Sequence, residues 1–409
     1  MSFLDIAIIK ALKIGKVPAQ GCQRLAVGRD AEIAEFRRVL DYVSQGGSEV
    51  RFLRGDYGSG KTFICSLLRE LGFEHKFVVS VLNLSKEVPF GKRDLVLNQI
   101  LRSLRTPGSG ADSALNEIVQ TWFGKYDAGT PFDQNEALRV AIHKISDGDP
   151  GLAAGLRAYY QAYLDGNDVW MESALSWLRG EPITPKVRSE LKLVGKLGSE
   201  QAFKRLRGFV LLMRDAGYQG LVILMDESES IMRLASPQRH AAYTAIREII
   251  DTSEVDFPYC YFVFAGTQKW FEDEFNGIAQ YRALYERIRN TQKESVRDLR
   301  QPIIRLEELD RESLRALARR VRDVHGVAYS WVAATKFPNR ELDDYISRVA
   351  TRFGDIRQKP RGFLKGFVDA LDARQQGLSE PDMAAVEQAV AEVESSDANL
   401  GDDVVVAVA

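Results

Sequence analysis

The feature that most constrains this chain is RGDYGSGKT at residues 54 to 62, where Gly55, Gly60, Lys61 and Thr62 stand at G-x-x-x-x-G-K-T spacing. Ahead of it VRFL, residues 50 to 53, reads as a short buried strand. Behind it FICSLLRE, residues 63 to 70, reads as a helix that begins at Phe63 and turns Leu67 and Leu68 inward. Strand, glycine-rich loop and helix in that order form a phosphate cradle rather than a chance pattern in a surface turn. Gly55, Gly58 and Gly60 let the backbone N–H groups turn toward a β-phosphate at the positive end of the helix, with Asp56, Tyr57 and Ser59 completing the loop. Lys61 would pair with the β and γ oxygens of a nucleoside triphosphate, and the Thr62 hydroxyl would ligate Mg²⁺.

A phosphate loop alone does not separate kinases, GTPases and ATPase motors. LVILMDE at 221 to 227 narrows the choice, because a fully apolar strand ends there in two acids. Asp226 would hold the metal's water shell and Glu227 would polarise the water that attacks the γ-phosphate. A kinase delivers a hydroxyl substrate and has no water to activate, so the pair argues for hydrolysis. No N-K-x-D guanine-selecting segment is present.

Two further apolar runs flank this strand. FVVSVLNL, residues 77 to 84, suits a sheet covered on both faces, and YCYFVFAGT, residues 259 to 267, ends on Thr267, where a strand-end hydroxyl would sense the γ-phosphate. From about residue 105 to 200 the pattern is helical and rich in aromatics, without a convincing strand, and it reads as an insertion in the α/β core. Trp170, Trp177 and Tyr159 fall there at helical spacing, which favours core packing over partner anchors. QYRALYERIRN at 280 to 290 places Arg282, Arg287 and Arg289 on a helix, from which an arginine would reach a neighbouring subunit's γ-phosphate. PIIRL at 302 to 306 is a fifth strand. Three helical segments follow, and in the last Arg361, behind Pro360, stands where it can face the phosphate loop. Beyond Arg374 there is no Lys or Arg, and the acidic end reads as a short helix and a mobile tail.

Net charge is −2, so no whole-protein positive field announces nucleic acid, although a local basic groove remains compatible. Cys22, Cys65 and Cys260 are scattered, which fits neither a disulfide framework nor a zinc ribbon and suits a reducing cytoplasm. The opening MSFLDIAIIKALKIGKVP is broken by Asp5, Lys10 and Lys13. It is read as an amphipathic helix docked on the body, not a signal peptide or a membrane span.

The order of strands and lid is similar to that of the AAA+ ATPases, and AVGRDAEI at 26 to 33 looks like the segment with which some of them clasp adenine through Val27, Gly28 and Arg29. More narrowly, VPAQG, LAVGRDAEIAEF and FLRGDYGSGKTF resemble the BrxC/BrxD-like ATP-binding proteins of BREX phage defence, with the BrxD branch nearest. WLRGE, ILMDESE, FAGTQKWFED, YRALYERI and KPRGFL continue the likeness over most of residues 15 to 372, whereas LNLSKEVPFGKRDLV departs from that branch.

This resemblance implies an α/β AAA+ P-loop fold with a five-stranded parallel core sheet, a large helical insertion and a C-terminal helical lid. Its parts would be an N-terminal helix with the clasp (1–45), the α/β core (46–300), the lid (301–375) and the acidic tail (376–409). ATP and Mg²⁺ are the implied cofactors. The trans arginine best matches Arg287, and the lid arginine Arg361 with Arg357 in reserve. The implied function is ATP hydrolysis on DNA in a homo-oligomer, or in an assembly with helicase, methyltransferase or similar defence subunits in the cytoplasm. The competing expectation is a nucleotide-gated scaffold that recruits such an effector with little hydrolysis.

Overall fold

A computed structural model describes residues 2–85, 87–109, 113–126, 129–195, 197–290, 298–353 and 360–378. The chain divides into two compact units, one drawn from residues 1–36, 53–70 and 305–409, the other from residues 37–52 and 71–304.

The second unit is built on a sheet of order β3-β2-β4-β5-β1-β6. Its strands are β1 (Glu49–Arg54), β2 (Val78–Asn83), β3 (Leu104–Arg105), β4 (Leu221–Asp226), β5 (Cys260–Gly266) and β6 (Ile303–Arg305), the last residues of β1 and β6 belonging to the first unit. β2, β4 and β5 are mutually parallel, in a register that sets Asn83 opposite Asp226 and Met225 opposite Phe264. Every residue of β4 and β5 is buried. That is why these strands read as unbroken apolar runs: both faces of the sheet are covered.

The expected five-stranded parallel sheet is corrected by one strand. β3 pairs antiparallel with β2, Val79 opposite Arg105 and Ser80 opposite Leu104. Two residues carry no alternation to read, and their sequence continues the pattern of the preceding helix, Arg93–Arg102. Burial of Leu104 and a 2.6 Å contact between the Ser80 and Ser103 hydroxyls hold this edge.

Between β3 and β4 the described chain is helical, with its longest members at Pro150–Leu164, Asp168–Arg179 and Ser199–Asp215. Tyr159 and Trp177 are buried and Trp170 packs half-buried against the same core, so these aromatics are structural. Two buried indoles of this region have their polar edges matched: Trp122 Nε1 donates to Asp215 at 2.7 Å and Trp177 Nε1 to the Gly151 carbonyl at 2.9 Å.

The first unit has its own core. The N-terminal helix Phe3–Lys13 buries Ile8, Ile9 and Leu12 against helices Arg311–Ala328 and Pro360–Gln376, as its amphipathic pattern predicts. A polar node fixes that docking. Lys13 forms an ion pair with Asp372, whose other oxygen lies 3.0 Å from His325 Nε2. Trp331 Nε1 donates to His325 Nδ1 at 2.9 Å. An indole N–H only donates, so the His325 proton resides on Nε2 and points at Asp372. Burial pushes the Asp372 carboxyl up, but the hydrogen bonds from His325 and Lys13 outweigh it and hold the group below its ordinary value. Among the described residues no helix is long and apolar enough to cross a membrane.

Candidate functional site

In the first unit the chain leaves β1 through the glycine-rich loop. Gly58 and Gly60 adopt φ of +81° and +92°, a left-handed backbone that glycine enters without penalty. A Cβ on Gly60 would meet nothing within 4 Å, so open space lies over the loop where phosphates would sit. Lys61 is buried and folded back on the loop, its Nζ donating to the carbonyls of Gly55 at 2.8 Å and Asp56 at 3.1 Å, and lying 5.4 Å from the Tyr57 ring centre. Ser59 Oγ is buried without a hydrogen-bond partner among the described residues. An unmatched buried hydroxyl costs about 1–3 kcal/mol, a cost that a ligand bearing phosphate oxygens would offset. Loop, open space and orphan hydroxyl therefore fit a phosphate group.

The second wall is the turn at Val27, Gly28 and Arg29. Arg29 is buried, paired with Glu32 at 3.0 Å and donating to the Glu307 carbonyl at 2.7 Å. Gly28 has φ +66°, and a Cβ there would stand 2.9 Å from Ser313 Oγ. Both the dihedral and the close approach select glycine. Gly28→Ala is expected to bind ATP about tenfold more weakly by calorimetry, since a left-handed alanine costs roughly 1–2 kcal/mol. Upstream, Glu70 accepts from the backbone N–H groups of Cys22 at 2.8 Å and Gln23 at 3.0 Å. Burial, assisted by Glu70, pushes the Cys22 thiol up to about 12, so it is a packed thiol and not a nucleophile.

Val27, Arg29, Gly58, Ser59, Gly60, Phe63 and Arg361 line one cleft, and Arg361 Nη2 lies 3.5 Å from Thr62 Oγ1. The cleft holds about 860 Å³ including the open solvent at its mouth. Its base is apolar, supplied by Leu12, Val17, Pro18, Leu25, Leu309, Leu317 and Leu364. An apolar floor behind a polar, cation-flanked loop suits a flat aromatic base joined to phosphates.

The remaining expected residues that the structure describes belong to the second unit. Asp226 is buried at the end of β4, and Glu227 follows it, exposed, at φ 54° and ψ 36°. A left-handed glutamate is strained by about 1–3 kcal/mol and persists only where its surroundings enforce it. Here its N–H donates to Asp226 Oδ1 at 3.0 Å and the Ser228 hydroxyl to the Met225 carbonyl at 3.1 Å. Thr267 is buried directly after β5 and does not cap the short helix that follows. Asp226 and Thr267 thus leave adjacent parallel strands in the same direction. Arg287 is exposed, paired with Asp251 and donating to the Ala283 carbonyl at 2.6 Å. The Arg282 side chain is 90% exposed, and Arg289 pairs with Glu286 at 3.0 Å. Arg357 lies outside the described residues. Among the described residues no group of three or more His, Cys, Asp or Glu could hold a metal ion.

The model of one protein family, described as BREX system ATP-binding protein BrxC/D, matches residues 4–388. The chain belongs to that family. The match gives it an ATP-binding role in a BREX system and runs through both units. No curated protein sequence matches the chain. Sequence reasoning did not assign the apolar floor of the cleft. VPAQG, with Val17 and Pro18, was the available signal, whereas Leu309, Leu317 and Leu364 cannot be told from ordinary core leucines.

Proposed function

We propose that this BREX ATP-binding protein is an AAA+ ATPase whose lid helices and phosphate loop enclose ATP, and whose acidic strand end drives hydrolysis. The observation that carries the reading is the single cleft lined by the loop, the Val27–Gly28–Arg29 turn and Arg361. ATP would place its base on the apolar floor and its phosphates over Gly58 and Gly60. Lys61 would leave the Gly55 and Asp56 carbonyls for the β and γ oxygens, while Arg361 meets the γ-phosphate from the lid. Thr62 Oγ1 and the Asp226 carboxylate are the hard oxygen donors that would hold Mg²⁺, which draws charge from the phosphate oxygens. Glu227 takes the proton of the attacking water, and Thr267 orients that water or the γ-phosphate. Arg287 is proposed to act in trans on a neighbouring subunit, once released from Asp251.

Lys61→Ala is expected to weaken ATP binding roughly a hundredfold, the loss of two charge-assisted hydrogen bonds, as read by titration with a fluorescent ATP analogue. Unchanged affinity would remove the loop from the binding site.

A nucleotide-gated scaffold is the second reading, favoured by a specific observation. Lys61 and Arg287 are both engaged within their own chain, which suits a slow basal rate. The two readings part on measurement. Stimulation of the ATPase rate by DNA, with ATP-dependent assembly in sedimentation, supports the motor. A low rate indifferent to DNA, with ATP-dependent capture of a partner subunit, supports the scaffold.

A further inference from the structure

The helix Arg311–Ala328 carries Ser313, Leu317 and Arg320 at i, i+4 and i+7, one stripe of its surface. All three address the same short stretch of the N-terminal segment. Ser313 Oγ closes on Gly28, Leu317 lines the same cleft as Val27 and Arg29, and Arg320 Nη1 donates to the Ala26 carbonyl at 2.8 Å. On the same helix Arg315 meets a carboxylate, Asp343, at 3.1 Å, whereas among the described residues Arg320 pairs with no acid. Its charge is spent on a main-chain oxygen of a buried alanine, one residue ahead of the cleft.

We propose that Arg320 is a positioning residue for the nucleotide base: it holds the turn at residues 26 to 29 against the helix, so that the base-facing wall exists before ATP arrives. Arg29 anchors the far end of the same turn on the Glu307 carbonyl, and Arg320 is the clamp at its near end. The inference rests on the reading of the cleft as the nucleotide site. Preorganisation of this kind acts on affinity, because the cost of ordering the wall is met in folding and not in binding. Arg320 does not line the cleft, so its influence reaches the base through the turn and leaves the phosphate loop alone.

The experiment compares ATP with inorganic tripolyphosphate, both displacing a fluorescent ATP analogue from the full chain. For Arg320→Ala the ATP dissociation constant should rise about tenfold, the loss of one charge-assisted hydrogen bond, while tripolyphosphate competes as before. Arg320→Lys, which keeps the charge and one donor, should recover part of the loss. ATP affinity within twofold of the unaltered chain overturns the proposal, as does equal weakening of ATP and tripolyphosphate, which would mark general damage to the unit. Lys61→Ala tested in parallel isolates the underlying reading: it should lose both ligands, and if it binds them normally the cleft is not the nucleotide site and the proposal falls with it.

Discussion

Glu227→Gln is expected to bind ATP as tightly as the unaltered chain and to lose turnover by roughly two to four orders of magnitude, the usual contribution of a positioned general base. The reason is the division of labour at the end of β4. Asp226 is buried, with Oδ1 accepting the Glu227 N–H, which suits an orienting or metal-holding role. Glu227 is turned outward by its left-handed backbone, which suits a group that meets water. Glutamine has the same shape and tolerates the same turn, so the fold and the cradle are left alone. What it lacks is a carboxylate to accept a proton. A steady-state phosphate-release assay with a binding titration on the same preparation decides the matter. Hydrolysis at the full rate would move the base elsewhere, and loss of ATP binding would make Glu227 part of the binding site.

The sequence is most legible where chemistry fixes residue type and spacing within one short stretch. Residues 55 to 62 and the acidic end of β4 are of that kind, and so are the long buried strands, whose lack of alternation is their signature. Legibility fails where a contact joins distant positions through groups that leave no trace in residue identity. Arg320 bonds a backbone oxygen nearly three hundred residues away, and any residue at position 26 would present that oxygen. Leu309, Leu317 and Leu364 form the cleft floor by convergence in space, and an apolar wall looks the same as a core. Arg287 illustrates the same limit from the other side. Its helix reads as a basic face, yet the guanidinium is held by Asp251, 36 residues earlier. Residue type announced the charge, and only the fold supplied the partner.

Asp149→Ala is expected to destabilise the second unit by about 3–5 kcal/mol, the cost of stripping one partner from a buried ion pair, and to lower its melting temperature by about 10 °C. Arg205 and Asp149 have side chains only 1% and 4% exposed, and they meet through two bonds, Nε to Oδ2 at 2.7 Å and Nη2 to Oδ1 at 3.1 Å. Removing the carboxylate leaves a buried guanidinium with the Trp177 carbonyl, at 3.3 Å, as its remaining acceptor among the described residues. A second loss is mixed in, because Asp149 Oδ1 also accepts the N–H groups of Gly151 and Leu152 and so caps the helix Pro150–Leu164. That cap is worth about 1 kcal/mol. Asp149→Asn separates the two, since asparagine caps as well as aspartate but carries no charge. If the ion pair dominates, Asn and Ala variants unfold at nearly the same temperature. If the cap dominates, the Asn variant melts close to the unaltered chain. The double replacement Asp149→Leu with Arg205→Met should regain most of the loss, because the charge left stranded by the single change is gone and the volume is refilled with apolar atoms. A double variant no more stable than Asp149→Ala would instead show that the pair specifies how these helices meet, a role that packing alone does not replace.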